Sequence, residues 1–183
     1  MRSRDLVEEG YSRNRALQLH NAGRLERVGR GLYRVPDSPI TEHDAVARVC
    51  KQAPQAIVCL LTALEVHGLG TQAPRDIWIA IDRKARKPHF TGVRVRIVRF
   101  SGPMMRYGIV ERQMQGVTVR LTSPARTIVD CFRYRNKLGL DVALEALRDA
   151  LRSRSATVAE IIRAADMCRA RTIVRPYVEA LVS

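Results

Sequence analysis

Arginine, asparagine and glutamine stand near the start of this 183-residue chain in an order that suits base edges and phosphates. Arg13, Asn14, Leu17, Gln18 and Asn21 fall on one stripe of a short helical segment, Ser12 to Ala22. An Arg fork pairs with guanine, Asn and Gln pair with adenine, and an apolar side chain packs on a thymine methyl. Arg13, Asn14 and Gln18 are therefore the candidate base readers, although the polar face of any surface helix carries similar residues. Arg27, Arg30 and Arg34 follow within G-R-L-E-R-V-G-R-G-L-Y-R-V-P, Gly23 to Pro36. Gly29 and Gly31 flank Arg30, and glycine tolerates the positive φ of a tight hairpin. Arg30 is expected at a hairpin tip, aimed at the minor groove, with Arg27 and Arg34 on phosphates.

A second basic constellation lies farther along. Arg83, Lys84, Arg86 and Lys87 crowd one loop, and Arg94 and Arg96 alternate with Val93, Val95 and Ile97. That alternation predicts a strand with one apolar and one basic face. Residues 71–135 hold 14 basic side chains against four acidic ones, whereas residues 1–36 hold eight against four. Much of the formal charge of +14 thus sits in the body. A polyanion is the expected partner, nucleic acid before an anionic membrane surface. The body patch could extend a DNA footprint or hold an RNA-like or acidic partner; solvation of an open sheet face explains the same letters. All but four of the 32 basic residues are Arg, a bias that a GC-rich genome also produces.

Catalytic constellations are thin. Asp76 and Asp82-Arg83-Lys84 resemble the D…D-x-K of Mg²⁺-dependent nucleases, but the acids are six apart and no flanking Glu accompanies them. Glu65 and His67 share a short apolar segment. Arg126 and Asp130, at i and i+4, suit a tie within a helix or to a sheet. No nucleophile elbow or phosphate-binding glycine loop is present. Cys50, Cys59, Cys131 and Cys168 are scattered among apolar neighbours, and the four histidines add no ligand spacing. We expect no catalytic residue, metal site, disulfide framework or cofactor, and a reducing cytoplasm. The longest apolar run, Ala56 to Leu61, is too short to cross a bilayer, and the charged N-terminus lacks a secretory pattern.

These residues need positioning elements. Ser3 to Glu9 and Ser12 to Ala22 read as helices, the second capped by Ser12 and closed by Gly23, with Ala16, Leu19 and His20 packed inward against Leu6 and Leu25. With the hairpin they make a winged helix-turn-helix head over residues 1–36, truncated because the chain begins almost at its second helix. Asp37 to Ile40 is a linker. Residues 41–183 form an α+β domain with a mostly antiparallel sheet and C-terminal helices. Its expected elements are a helix from Thr41 to Gln52, a helical segment over Ala56 to Leu69, and strands at Ile77 to Ile81 and Val93 to Phe100. A hairpin about Gly116 and a helix opened by Ser123-Pro124 come next. Two or three further helices then follow, over 141–151, 158–169 and 173–181.

The block Gly23 to Pro36, T-A-L-E-V-H-G-L at Thr62 to Leu69 and L-T-S-P-A-R-T-I-V-D at Leu121 to Asp130 together resemble the AbiEi-type antitoxin family. They occur in the family's order, and the match covers nearly the whole chain. The resemblance implies a DNA-binding transcriptional repressor of its own operon, with an N-terminal winged helix and a C-terminal antitoxin domain. It also implies an AbiEii-like nucleotidyltransferase toxin as partner, in a type IV toxin–antitoxin system linked to phage defence. Two other classes fit parts of the sequence: a stand-alone winged-helix regulator without a toxin, and a Mg²⁺-dependent nuclease using Asp76 and Asp82.

Overall fold

Residues 12, 14–29, 32–34 and 44–182 are described by the structure, a computed structural model. The chain divides into two compact units, 1–42 with 89–92, and 43–88 with 93–183.

In the first unit, helix α1 (Arg15–Asn21) precedes a hairpin of β1 (Glu26–Gly29) and β2 (Leu32–Arg34). Asn14, and not the expected Ser12, occupies the N-cap, and its side chain makes no capping bond. The Ser12 carbonyl accepts from the Arg15 N–H at 2.9 Å. Gly23 takes a left-handed φ of +70° after the helix, and the Arg24 N–H turns back to the Leu19 carbonyl. Ala16, Leu25 and Tyr33 are buried with Leu19 against them. The His20 ring also turns inward, its Nδ1–H donating to the Leu25 carbonyl at 2.9 Å. Strands β1 and β2 are antiparallel, with an irregularity between Arg27 and Gly29. Gly29 ends β1 in strand conformation. Arg13, Arg30, Gly31, the segment 3–9 and the linker 37–40 lie outside the described residues.

The second unit runs α2 (Asp44–Gln52), β3 (Ile57–Val58), α3 (Leu60–His67), β4 (Ile77–Asp82), β5 (Val95–Phe100), a 3-10 turn (Gly102–Met105), β6 (Ile109–Met114) and β7 (Val117–Thr122). Helices α4 (Pro124–Arg133), α5 (Arg135–Leu138), α6 (Leu140–Ser153), α7 (Val158–Met167) and α8 (Arg171–Val182) complete it. The fold is α+β. Sheet order is β5-β4-β3-β7-β6. The β3–β4 and β6–β7 pairs are antiparallel, as is the head hairpin, while β4–β5 and β3–β7 are parallel. The β6–β7 hairpin turns through Gln115 and Gly116, both at positive φ, the twist that a two-residue hairpin requires.

One sheet face, with Ile57, Trp78, Ala80, Val98 and Phe100, joins a core with Ile128, Phe132, Ala146, Leu147, Ile161 and Val174 of the C-terminal helices. Helix α2 packs on β7 and β4, burying Val46, Ala47, Val49 and Cys50. Cover on both faces leaves Trp78, Ile79, Ala80 and Ile81 of β4 all buried.

The helical reading of Ala56 to Leu69 is corrected at its start. Ile57 and Val58 form a two-residue strand at the sheet centre. Helix α3 then takes over between the strands that β3 leaves unpaired. Thr62 Oγ1 accepts the Trp78 N–H at 2.9 Å, and His67 Nε2 donates to the Thr122 carbonyl at 2.7 Å. Helix side chains thereby satisfy groups that a longer β3 would have paired.

Candidate nucleic-acid interface

Helix α1 separates its two sides cleanly. Ala16 is buried, whereas Asn14, Leu17, Gln18 and Asn21 are exposed, Leu17 by 47%. Leu17 fits either face on sequence alone; the structure puts it outside, between Asn14 and Gln18. Apolar and amide groups therefore share one outward stripe, which is the chemistry of a major-groove reader. Arg27 is exposed on β1, and Arg34 lies on β2 opposite Glu26. The hairpin strands that would carry a wing are thus in place beside this helix, within the same unit.

In the second unit the predicted basic residues part company. Arg83, Lys84, Arg86 and Lys87 are exposed in the loop after β4. Arg94 and Arg96 instead close on Asp76, with Nε atoms 3.1 and 2.7 Å from its two carboxylate oxygens. The Arg96 hydrogen bond holds the Asp76 carboxyl below its ordinary range, and Arg94 adds to this. Arg96 also lies over the Trp78 ring, 5.4 Å from its centroid. The expectation of one continuous basic face on β5 is overturned. Arg96 shares its face with Val98 and Phe100, which enter the core, and Arg99 lies on the face of Val95 and Ile97.

Arg99 was missed by sequence reasoning and turns out to organise the basic loop. Its guanidinium donates to the carbonyls of Asp82 (3.0 Å), Arg83 (3.3 Å) and Ala85. The available signal was an arginine breaking an apolar alternation at the strand end nearest that loop.

Asp76 and Asp82 do not make a nuclease centre. They bracket β4, about 20 Å apart at ~3.3 Å per residue, so they cannot share one Mg²⁺. Asp82 accepts the Lys84 N–H at 2.8 Å. Among the described residues, no three His, Cys, Asp or Glu side chains gather as a metal site. Burial pushes the Cys50 thiol up to about 12 and Cys168 up to about 11, and raises Cys59 and Cys131 well beyond the ordinary range, which makes all four poor nucleophiles.

The two body motifs are structural. Arg126 and Asp130 are both 0% exposed, joined Nε to Oδ2 at 2.9 Å. Arg126 also donates to the Tyr107 carbonyl at 2.8 Å and lies over Phe100. The i, i+4 pair ties α4 internally, as its spacing suggested, and Arg126 also joins the helix to the segment before β6. Ser123 caps α4, accepting the Arg126 N–H, and Thr122 and Thr127 hydroxyls meet at 2.7 Å. In the Thr62 to Leu69 motif, burial and Arg112 lower the His67 pKa, so the ring is neutral at pH 7. Its Nε2 proton serves Thr122, which leaves Nδ1 to accept from Arg112.

A small helix-and-hairpin unit with an outward amide stripe, attached to an α+β body whose distinctive motifs are buried, has the layout of a DNA-binding regulator. Residues 1–72 match the family described as transcriptional regulator, AbiEi antitoxin N-terminal domain, and residues 56–177 match the AbiEi antitoxin C-terminal domain. The chain belongs to the AbiEi antitoxin family. No curated protein matches it. Antitoxin and regulator domains of this kind are not, in general, enzymes. Among the described residues, no helix is long and apolar enough to cross a membrane.

Proposed function

We propose that this protein represses transcription of its own operon and counteracts an AbiEii-like nucleotidyltransferase toxin in a type IV toxin–antitoxin system, in the cytoplasm. Residues 1–36 act as the DNA-binding head, 37–40 as a linker and 41–183 as the antitoxin domain. The carrying observation is the outward stripe of Asn14, Leu17 and Gln18 on α1, beside a basic hairpin. The helix enters the major groove, where Arg13, Asn14 and Gln18 read base edges. Arg27, Arg30 and Arg34 hold the backbone or the minor groove. Such a head suits repeated half-sites in a promoter.

Footprinting on the promoter upstream of the gene tests the regulatory half, with Gln18→Ala and Arg30→Ala alongside. We expect a protected site that Gln18→Ala weakens. Equal binding to promoter and unrelated duplex would contradict the reading. Co-expression with a neighbouring nucleotidyltransferase gene tests the antitoxin half, with restored growth expected.

A further inference from the structure

We infer that His20 is a positioning residue for DNA recognition: it fixes the pitch of α1 against the hairpin, so that base readers and hairpin arginines meet one duplex together. The inference deepens the reading of the head given above and rests on it. Helix α1 carries its readers on one side and its anchors on the other. Asn14, Leu17, Gln18 and Asn21 are exposed, whereas Ala16 is buried and Leu19 and His20 are half-buried. His20 stands two residues after Gln18, about 200° further round a helix of 3.6 residues per turn. Any rotation of α1 about its axis at His20 therefore swings the reading stripe through the same angle.

Two contacts tie the imidazole to the hairpin. Its Nδ1–H donates to the Leu25 carbonyl at 2.9 Å, and its ring centroid lies 6.1 Å from that of Tyr33, tilted by 58°. Leu25 immediately precedes β1, and Tyr33 is the middle residue of β2. The Leu25 N–H donates in turn to the Leu19 carbonyl at 3.2 Å, so both backbone groups of Leu25 are held by the last turn of α1. Tyr33 pairs with Arg27 across the hairpin and precedes Arg34. One side chain thus bridges the reading helix, the entry to β1 and the strand opposite Arg27.

Apolar packing alone does not set that pitch. Among the described residues, the core of this unit is Ala16, Leu25 and Tyr33 with Leu19 against them. Burial is non-directional and tolerates rotation of a short helix, whereas a hydrogen bond weakens steeply as it bends. Helix α1 has seven residues, and its N-cap makes no side-chain bond, so its direction is set at the C-terminal end. Readers held in place before binding need no ordering on the duplex, and that gain appears only where base edges are read. Phosphate contacts from exposed arginines carry no sequence information and do not depend on it.

The test titrates the full chain as wild type, His20→Ala, His20→Phe and His20→Asn on the promoter fragment and on a scrambled duplex at one fixed salt. Asparagine places its amide nitrogen where Nδ1 stands and so keeps the donor without the ring. Phenylalanine keeps a ring for Tyr33 without the donor. His20→Ala and His20→Phe should lower the promoter preference about 3- to 10-fold, the worth of one hydrogen bond, with affinity for the scrambled duplex held. His20→Asn should restore most of the preference. A wild-type preference in all three variants, or His20→Asn no better than His20→Ala, overturns the inference and leaves the head reading standing. An equal loss on both duplexes does the same, because it marks a residue that only holds the unit together. No promoter preference in wild type defeats the head reading, and the inference falls with it.

Discussion

At one end of β4, Asp76 accepts the Nε–H of Arg96 and forms an ion pair with Arg94. At the other, Asp82 turns its carboxylate to the Lys84 N–H and leaves four cations facing solvent. The same residue types, six positions apart, end in opposite states: one closed ion cluster and one open basic loop. Net charge counts the two alike. What differs is the partner each acid holds, guanidinium groups at Asp76 and a backbone N–H at Asp82. The buried Arg126–Asp130 pair is a third state, in which the charges are removed from water altogether and serve the fold.

The largest expected effect sharpens that third state. Arg126→Ala or Asp130→Ala leaves its partner buried and unpaired, at a cost of about 3–5 kcal/mol in urea unfolding. The double change Arg126→Met, Asp130→Leu should cost far less. A loss below ~1 kcal/mol for either single variant breaks the distinction between buried and exposed pairs.

Next come the base readers. Asn14→Ala and Gln18→Ala should each lower promoter discrimination by about 1–3 kcal/mol, with the salt slope unchanged. Because Asn14 makes no capping bond, its replacement should leave the helix intact. Competition binding against scrambled duplex measures both.

Thr62→Val removes the acceptor of the Trp78 N–H in a buried site, and thermal or urea unfolding should register about 1–3 kcal/mol. An unchanged midpoint would mean that the N–H finds another partner.

A pH effect follows from Asp130, whose carboxyl burial pushes up to about 6 against the pull of Arg126 and Arg133. A carboxyl with a higher pKa in the fold than in the unfolded chain holds its proton more tightly in the fold. Its contribution to stability is therefore greatest below about pH 4, falls towards pH 6 and is level above. The wild-type urea midpoint should fall more steeply over that window than that of the Arg126→Met, Asp130→Leu double variant. Parallel curves would contradict the assignment. The smallest effect is expected from Arg94→Gln with Arg96→Gln, an exposed pair worth about 0–1 kcal/mol in unfolding.

Much of this architecture was legible because local chemistry decides it. Ser123-Pro124 opens α4, Gln115-Gly116 turns the β6–β7 hairpin, and the Ala16/Leu19 spacing orients α1. Features decided by tertiary pairing were not. Ile57–Val58 is too short to show a period, yet it sits at the sheet centre. The parallel β4–β5 pairing is made by a helix-free connection, 83–94, so the usual crossover signal is missing. Alternation over Val93 to Ile97 suggested a basic face because it stops just before Val98, where the pattern shifts. The roles of Thr62 and His67 depend on strands that end elsewhere in the chain, which no local spacing reveals.

The most direct test is a binding titration of wild type against Asn14→Ala/Gln18→Ala on the protein's own promoter and on a scrambled duplex at one fixed salt. The account predicts a clear promoter preference in wild type, reduced by the α1 changes while affinity for the scrambled duplex holds. A preference that survives those changes undiminished would contradict it.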